Sequence, residues 1–189
     1  VSESLDEQVE TFDELRDLQA KAPQVLEDME QQAGEVLARV PGARTILTQL
    51  AASYPATSLA SIDNNADQAE ALVTAAREQV ALGQESLTTD DRATAVTHAR
   101  AAEDAVGQAS KLLDAVDDAD ADLKAAPAKI AERLTSLQLD VDDAARLAAN
   151  DPGISPATST ATQAIVYAQQ AGHDPLAAAA GLATAEATL

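Results

Sequence analysis

Between Ala95 and Ala148 the apolar residues climb a single ladder in alternating steps of four and three. The rungs are Ala95, Ala99, Ala102, Val106, Ala109, Leu113 and Val116, then Leu123, Ile130, Leu134, Leu137, Val141, Ala144 and Ala148. Steps of four and three return to one side of an α-helix, so the ladder is a seam along which a helix packs on its neighbours. Two rungs are not apolar, Asp120 and Pro127, yet the phase is the same on both sides of them. The stretch 90–150 is therefore one very long helix kinked near Pro127, or two helices sharing a seam. The rest of the chain is organised around it.

What can pack on such a seam is limited by composition. Aromatic residues make up only 2% of the 189, so the core is built of Ala, Leu and Val. Small side chains let helices approach closely but bury little area per contact. The expected result is an elongated bundle of modest stability. The formal charge of −20 opposes nucleic-acid binding, which needs a positive footprint, and opposes docking on an anionic lipid surface. With no cysteine, disulfides and thiolate metal sites are excluded. No apolar run is long enough to span a bilayer and no signal peptide opens the chain. The chain starts at Val1 and stops at Leu189 inside a helical pattern, which suggests a piece of a longer protein.

A first seam precedes the main one: Leu5, Val9, Phe12, Leu15, Leu18, Ala22, Leu26, Met29, Ala33, Val36 and Val40. Pro23 either kinks this helix or divides it in two. Pro41-Gly42 is expected to stop it, with a short separate helix over 43–53. Residues 56–65 read as a crossover with at most one helical turn. Asn64 or Asn65 is the expected cap of a helix over 66–87, whose inward residues include Ala69, Leu72, Val73, Ala76, Val80 and Leu87. Thr89 or Asp90 would cap the main helix, and so tight a connection forces an antiparallel hairpin. Asn150-Asp151-Pro152-Gly153 ends the main element. Ser155 as cap and Pro156 at the first helical position open another helix through Ile165, Val166 and Tyr167 to Gly172, and Asp174-Pro175 opens the last. Setting Asp174 on Asp91 places Ala178, Leu182, Ala185 and Leu189 on Ala95, Ala99, Ala102 and Val106, an internal echo of one helical hairpin in another.

Three stretches resemble actinobacterial TPM-domain membrane proteins. They are Phe12-Asp13-Glu14-Leu15-Arg16-Asp17-Leu18 with Ala22-Pro23-Gln24; Ser58-Leu59-Ala60-Ser61 with Asp63-Asn64; and residues 101–109 leading to Leu112-Leu113-Asp114-Ala115-Val116-Asp117. The likeness covers about residues 2–149. It implies a parent chain with a signal peptide, a TPM domain outside the membrane, one span, and then a helical region like this one. It transfers no activity, because the phosphatase-like or metal-binding features of the TPM domain belong to residues that are not in this sequence.

The densest acidic cluster is Asp114, Asp117, Asp118, Asp120 and Asp122. Asp118, Asp120 and Asp122 copy the opening of a calcium loop, but Leu123 stands where glycine must turn and Lys129 where the bidentate Glu belongs. The bland reading is a solvated face, and Asp140, Asp142 and Asp143, with Arg146 one turn from Asp142, read the same way. His98 and His173 have no helical partner at metal-ligand spacing and read as surface histidines. Gly83 and Gly107, inside helices, suggest close helix crossings. Tyr54 and Tyr167 read as half-buried packing residues, with a partner-contact rim as the alternative.

The expectations are these. The fold is all-α, an elongated bundle of long antiparallel helices with a C-terminal hairpin. It forms one domain over 1–189, with a possible division into 1–149 and 155–189. The function is non-catalytic interaction or scaffolding within a membrane-anchored envelope protein, or alternatively regulation or spacing of an attached TPM domain. An enzyme or metal carrier using the acid cluster is the rival from another class. No catalytic residue, cofactor or metal site is expected. The partner is a protein or a second copy engaged through helices, not nucleic acid and not an anionic membrane. Asp114, Asp117, Asp118 and Asp122 are the candidate contacts. The parent chain would be tied to the envelope, with the cytoplasmic face favoured over the outer one.

Overall fold

In a computed structural model, residues 2–147, 154–170 and 174–189 are described, with side chains from 16 to 146 in the first of these ranges. Every described element is helical: α1 (Ser2–Ser53), α2 (Ala56–Leu59), α3 (Asn65–Thr88), α4 (Arg92–Leu147), α5 (Ser155–Gln169) and α6 (Pro175–Thr188). The all-α expectation is met. The chain forms two compact units, each assembled from two segments: 1–45 with 64–115, and 46–63 with 116–189.

Proline does less to these helices than its local chemistry suggests. α1 runs 52 residues through Pro23 and Pro41, so the expected stop at Pro41-Gly42 and the separate helix over 43–53 do not occur. α4 runs 56 residues through Pro127. All three proline rings are exposed. A proline inside a helix costs about 3 kcal/mol, through one lost hydrogen bond and a steric push on the preceding turn. On the outer side of a helix that push opens toward solvent and leaves the packed face in register. Around Pro41 the rungs Val36, Val40 and Ala43 stay buried, and a fully buried Val contributes about 1.5–3 kcal/mol. Packing therefore outweighs the break. On α4 the seam steps from Leu123 to Ala126 and Ile130, so Ala126, 2% exposed, takes the rung that the four-three ladder assigned to Pro127. Asp120 is half-buried at its rung and paired to Lys124.

The first unit packs α1, α3 and the first half of α4. Its core is Ala22, Leu26, Met29, Ala33, Val36 and Val40 from α1, Ala69, Val73, Ala76 and Val80 from α3, and Ala95 to Leu113 along α4. Leu18, expected on the seam, is 38% exposed; of its seam neighbours, Leu5 to Leu15 lie outside the described side chains. α3 runs antiparallel to both partners. Arg77 pairs with Glu30 and Arg44 with Asp67 across α1, while Gln79 meets His98 and Asn65 meets Leu112 across α4.

Asn65 is not the expected cap but the first residue of α3, 6% exposed, and its Nδ2 donates to the Leu112 carbonyl at 3.1 Å. Asn64 holds the cap position without a side-chain capping bond. The cap of α4 also moves by one residue. Asp90 takes φ 57°, the left-handed conformation that an Asp tolerates, and the Thr89 and Asp90 N–H groups close the end of α3 on the Ser86 and Leu87 carbonyls. Asp91 then accepts the Thr94 N–H at 3.0 Å and the Thr94 hydroxyl at 2.8 Å.

In the second unit Ala126, Ile130 and Leu137 of α4 close on Ala161, Ile165 and Ala168 of α5 and Ala178, Leu182 and Ala185 of α6. α5 starts without a side-chain cap: Ile154 holds that position and Ser155 is already helical. The expected stop at 150–153 lies outside the described residues, and α5 ends at Gln169, short of the expected Gly172, because Gln170 turns to an extended conformation with its N–H on the Tyr167 carbonyl. α6 begins as expected, with Asp174 accepting the N–H groups of Leu176 and Ala177 at 2.9 and 3.2 Å. The echo of Asp91 in Asp174 is matched in burial, since Ala95, Ala99 and Ala102 are buried like Ala178, Leu182 and Ala185.

Candidate functional site

A charged face is a contact surface only to the extent that its charges are not already engaged. Asp114, at the end of the first unit's stretch of α4, is engaged. Arg39 of α1 brings Nη2 to 2.6 Å from its Oδ1 and Nη1 to 3.3 Å from the Ser110 hydroxyl. The two side chains are 37% and 55% exposed, so solvent screens the pair and its contribution is at most about 1 kcal/mol. Its geometric effect is to tie α1 to α4.

Asp117, Asp118 and Asp122 belong to the second unit and are exposed on α4, on the side away from the buried Val116 and Leu123. Asp122 lies 3.2 Å from Lys129, and Asp120 lies 2.6 Å from Lys124. The calcium-loop resemblance therefore sits inside a helix. Residues two apart on a helix point to opposite sides, so these carboxylates do not surround a common point. No group of three His, Asp or Glu among the described residues is placed to hold a metal. Arg146 pairs with Asp143 at 2.7 Å rather than with Asp142, which accepts from Gln138.

His98 is half-buried, with Nδ1 2.8 Å from the Gln79 side-chain oxygen, so it is a packing residue between α3 and α4 rather than a surface histidine. His173 lies outside the described residues. Gly83 marks a close crossing: a Cβ there would meet the Leu26 methyls at 2.7 and 2.9 Å and the His98 Cβ at 3.2 Å. Gly107 does not, because it is exposed and a Cβ there would meet nothing within 4 Å. Tyr54 is half-buried and donates its hydroxyl to the Leu123 carbonyl at 3.1 Å; Tyr167 is 39% exposed.

Among the described residues, displaced pKa values are found at two helix starts and one cross-helix arginine. The Asp91 carboxyl is held below its ordinary value by the Thr94 backbone and hydroxyl. At Asp174, burial pushes the pKa up, but hydrogen bonding, led by the Ala177 N–H with the Leu176 N–H beside it, outweighs it and holds the carboxyl low. Arg44 is raised by hydrogen bonds to Asp67 and Glu70. All three shifts trace to structural bonds.

Two hollows were not legible in the sequence. In the second unit, Tyr54, Pro55, Pro127, Ile130, Leu134 and Pro175 enclose much of an open apolar hollow of about 410 Å³. Its only advance signal was three prolines far apart in the chain. In the first unit, a groove of about 590 Å³ runs between α3 and α4, lined by Gln68, Ala71, Leu72, Gln108, Lys111 and Leu112. Searches of protein-family models, curated proteins and solved structures returned no match to this chain.

Proposed function

We propose that this chain is a non-catalytic interaction or scaffold domain within a membrane-anchored envelope protein. The observation that carries this reading is the length of α1 and α4, 52 and 56 residues, with the described side chains of each buried along one narrow seam. Such helices leave most of their circumference to solvent, which is surface for recognition. The surface is strongly acidic, so the complement is a basic protein surface, drawn in by long-range attraction that salt screens. The envelope setting rests on the likeness of the sequence to TPM-domain proteins.

The test is association of the intact parent protein with partners captured from the envelope, measured across a salt series. A specific protein partner, with association that slows as salt rises, supports the reading. Neutralising Asp117, Asp118 and Asp122 to Asn should slow association and flatten its salt dependence if that face is the contact; unchanged rates at low salt make the face plain solvated surface. Turnover of a phosphate ester that survives repurification of this chain would replace the reading with an enzyme.

A further inference from the structure

We propose that the groove between α3 and α4 in the first unit docks an amphipathic helix of a basic partner protein. The proposal rests on the interaction-domain reading above and gives it a surface and a partner chemistry. Its first ground is the scarcity of charge. Where Gln68, Ala71 and Leu72 face Gln108 and Leu112, Lys111 is the one ionised side chain of the lining; further along, where the pairing of Asn65 with Leu112 and of Gln79 with His98 brings Ala75 alongside Ala101 and Ala105 and carries Leu82 past His98 toward Thr94, the facing residues include no Asp, Glu, Lys or Arg. In a chain with 23% charged residues such a strip is depleted, as the centre of a protein interface is. Leu82 is 43% exposed and Leu72 and Leu112 are half-buried, so the strip offers apolar area that the fold does not use.

The second ground is the charge along its edges. On the outward side of α3 stand Glu78 and Glu85, both exposed, and on the outward side of α4 Asp104 stands one turn from Arg100, both exposed; Lys111 closes one end, so the acidic edge is that of α3. From Gln68 to Leu82 the strip is about 20 Å long at 1.5 Å per residue, room for some four turns of helix. A helix with an Ala/Leu stripe flanked by Lys or Arg would bury its stripe on the strip and set a basic flank against Glu78 and Glu85. Such helix-in-groove recognition is a common mode. A second copy of this chain would bring acid against acid, which disfavours it as the occupant.

The experiment uses the full chain and a synthetic 21-residue peptide with an Ala/Leu stripe flanked by lysines. Its controls are a scrambled peptide of the same composition and a Glu-flanked counterpart. Ala75→Glu and Ala105→Glu each place a charge in the strip, and Gln32→Glu adds the same charge on exposed α1. Groove docking makes the two strip variants bind at least tenfold more weakly than wild type although they are more acidic, while Gln32→Glu stays within twofold. Photo-cross-linking of the peptide to the wild-type chain should map to Leu72, Ala75 and Ala105, a readout that does not depend on how the variants fold.

Equal binding by the strip variants, equal binding of the scrambled or Glu-flanked peptide, or cross-links elsewhere would overturn the proposal. So would a wild-type dimer in sedimentation that Ala75→Glu makes monomeric, since the occupant is then a second copy. A parent-protein partner whose affinity Ala75→Glu leaves unmoved removes the groove assignment and keeps the interaction-domain reading. A parent with no protein partner, alongside a groove that binds the peptide, removes the interaction-domain reading instead.

Discussion

At the scale of single residues, two of the glycines inside helices, Gly83 and Gly107, separate propensity from packing. Each removes about 1 kcal/mol of helix stability relative to Ala. At Gly83 the missing Cβ makes room for the δ-methyls of Leu26, which is 1% exposed, so an added methyl must displace them within a packed core. Overpacking at such a site costs about 1–3 kcal/mol, more than the propensity gain, so Gly83→Ala should lower stability by about 1 kcal/mol. At Gly107 nothing lies within 4 Å, so Gly107→Ala should raise it by about 0.5–1 kcal/mol. Urea unfolding of the two variants checks the pair; shifts of the same sign would mean that Leu26 yields or that Gly107 is not free. Two glycines in equally helical sequence thus have opposite roles, and only the neighbouring helix distinguishes them.

At the scale of elements, the helices tolerate breaks within them but depend on their ends. Pro41 breaks one backbone bond of α1 and keeps its ring in solvent. Pro41→Ala should therefore restore that bond, stabilise the protein by about 1–3 kcal/mol and slow hydrogen exchange of the amides over 37–45. A loss of stability would show that the kink itself is needed for packing. At the start of α6, Asp174 is a titrating cap. Its folded pKa lies below its unfolded value near 3.9. The unfolded chain therefore takes up the proton first as pH falls. The capping contribution is present above the unfolded pKa and is lost as pH falls from there through the folded pKa. Thermal melts between pH 6 and pH 2 should show this acid loss in the wild type and less of it in Asp174→Asn, which caps without titrating. Parallel curves for the two would remove Asp174 from the acid response.

At the scale of the whole molecule, the charge of −20 sets attraction in the cross-helix pairs against repulsion everywhere else. The attractive pairs, such as Arg39–Asp114, Arg77–Glu30 and Arg133–Glu186, are part-exposed and individually weak. Repulsion among an excess of acids disfavours the compact state. Raising salt from 10 to 150 mM shortens the screening length from about 30 Å to about 8 Å and should raise Tm by a few degrees. A fall in Tm would mean that the cross-helix pairs outweigh the self-repulsion.

What the sequence by itself determined is the part of the fold that rides on period. Among the described residues the four-three spacing names most of the buried rungs of α1, α3 and α4, because a helix has only one face to bury and the apolar residues mark it, although Leu18 is exposed and Leu72, Leu87, Leu134, Val141 and Ala144 are only half-buried. The turn chemistry at Asp174-Pro175 was legible for the same local reason. The tertiary structure decided whatever depends on a second element. It carried α1 through Pro41-Gly42, because rungs packed on both sides outweigh one lost bond. It moved the seam from Pro127 to Ala126, turned Asn65 from a cap into a cross-helix donor, and set His98 against Gln79. The candidate acids were legible as a charged run, but the pairing of Asp114 with Arg39, 75 residues apart, was not. The charge-poor strip between α3 and α4 was legible least of all, since it is a property of neither helix alone and exists only once their two half-exposed faces lie side by side.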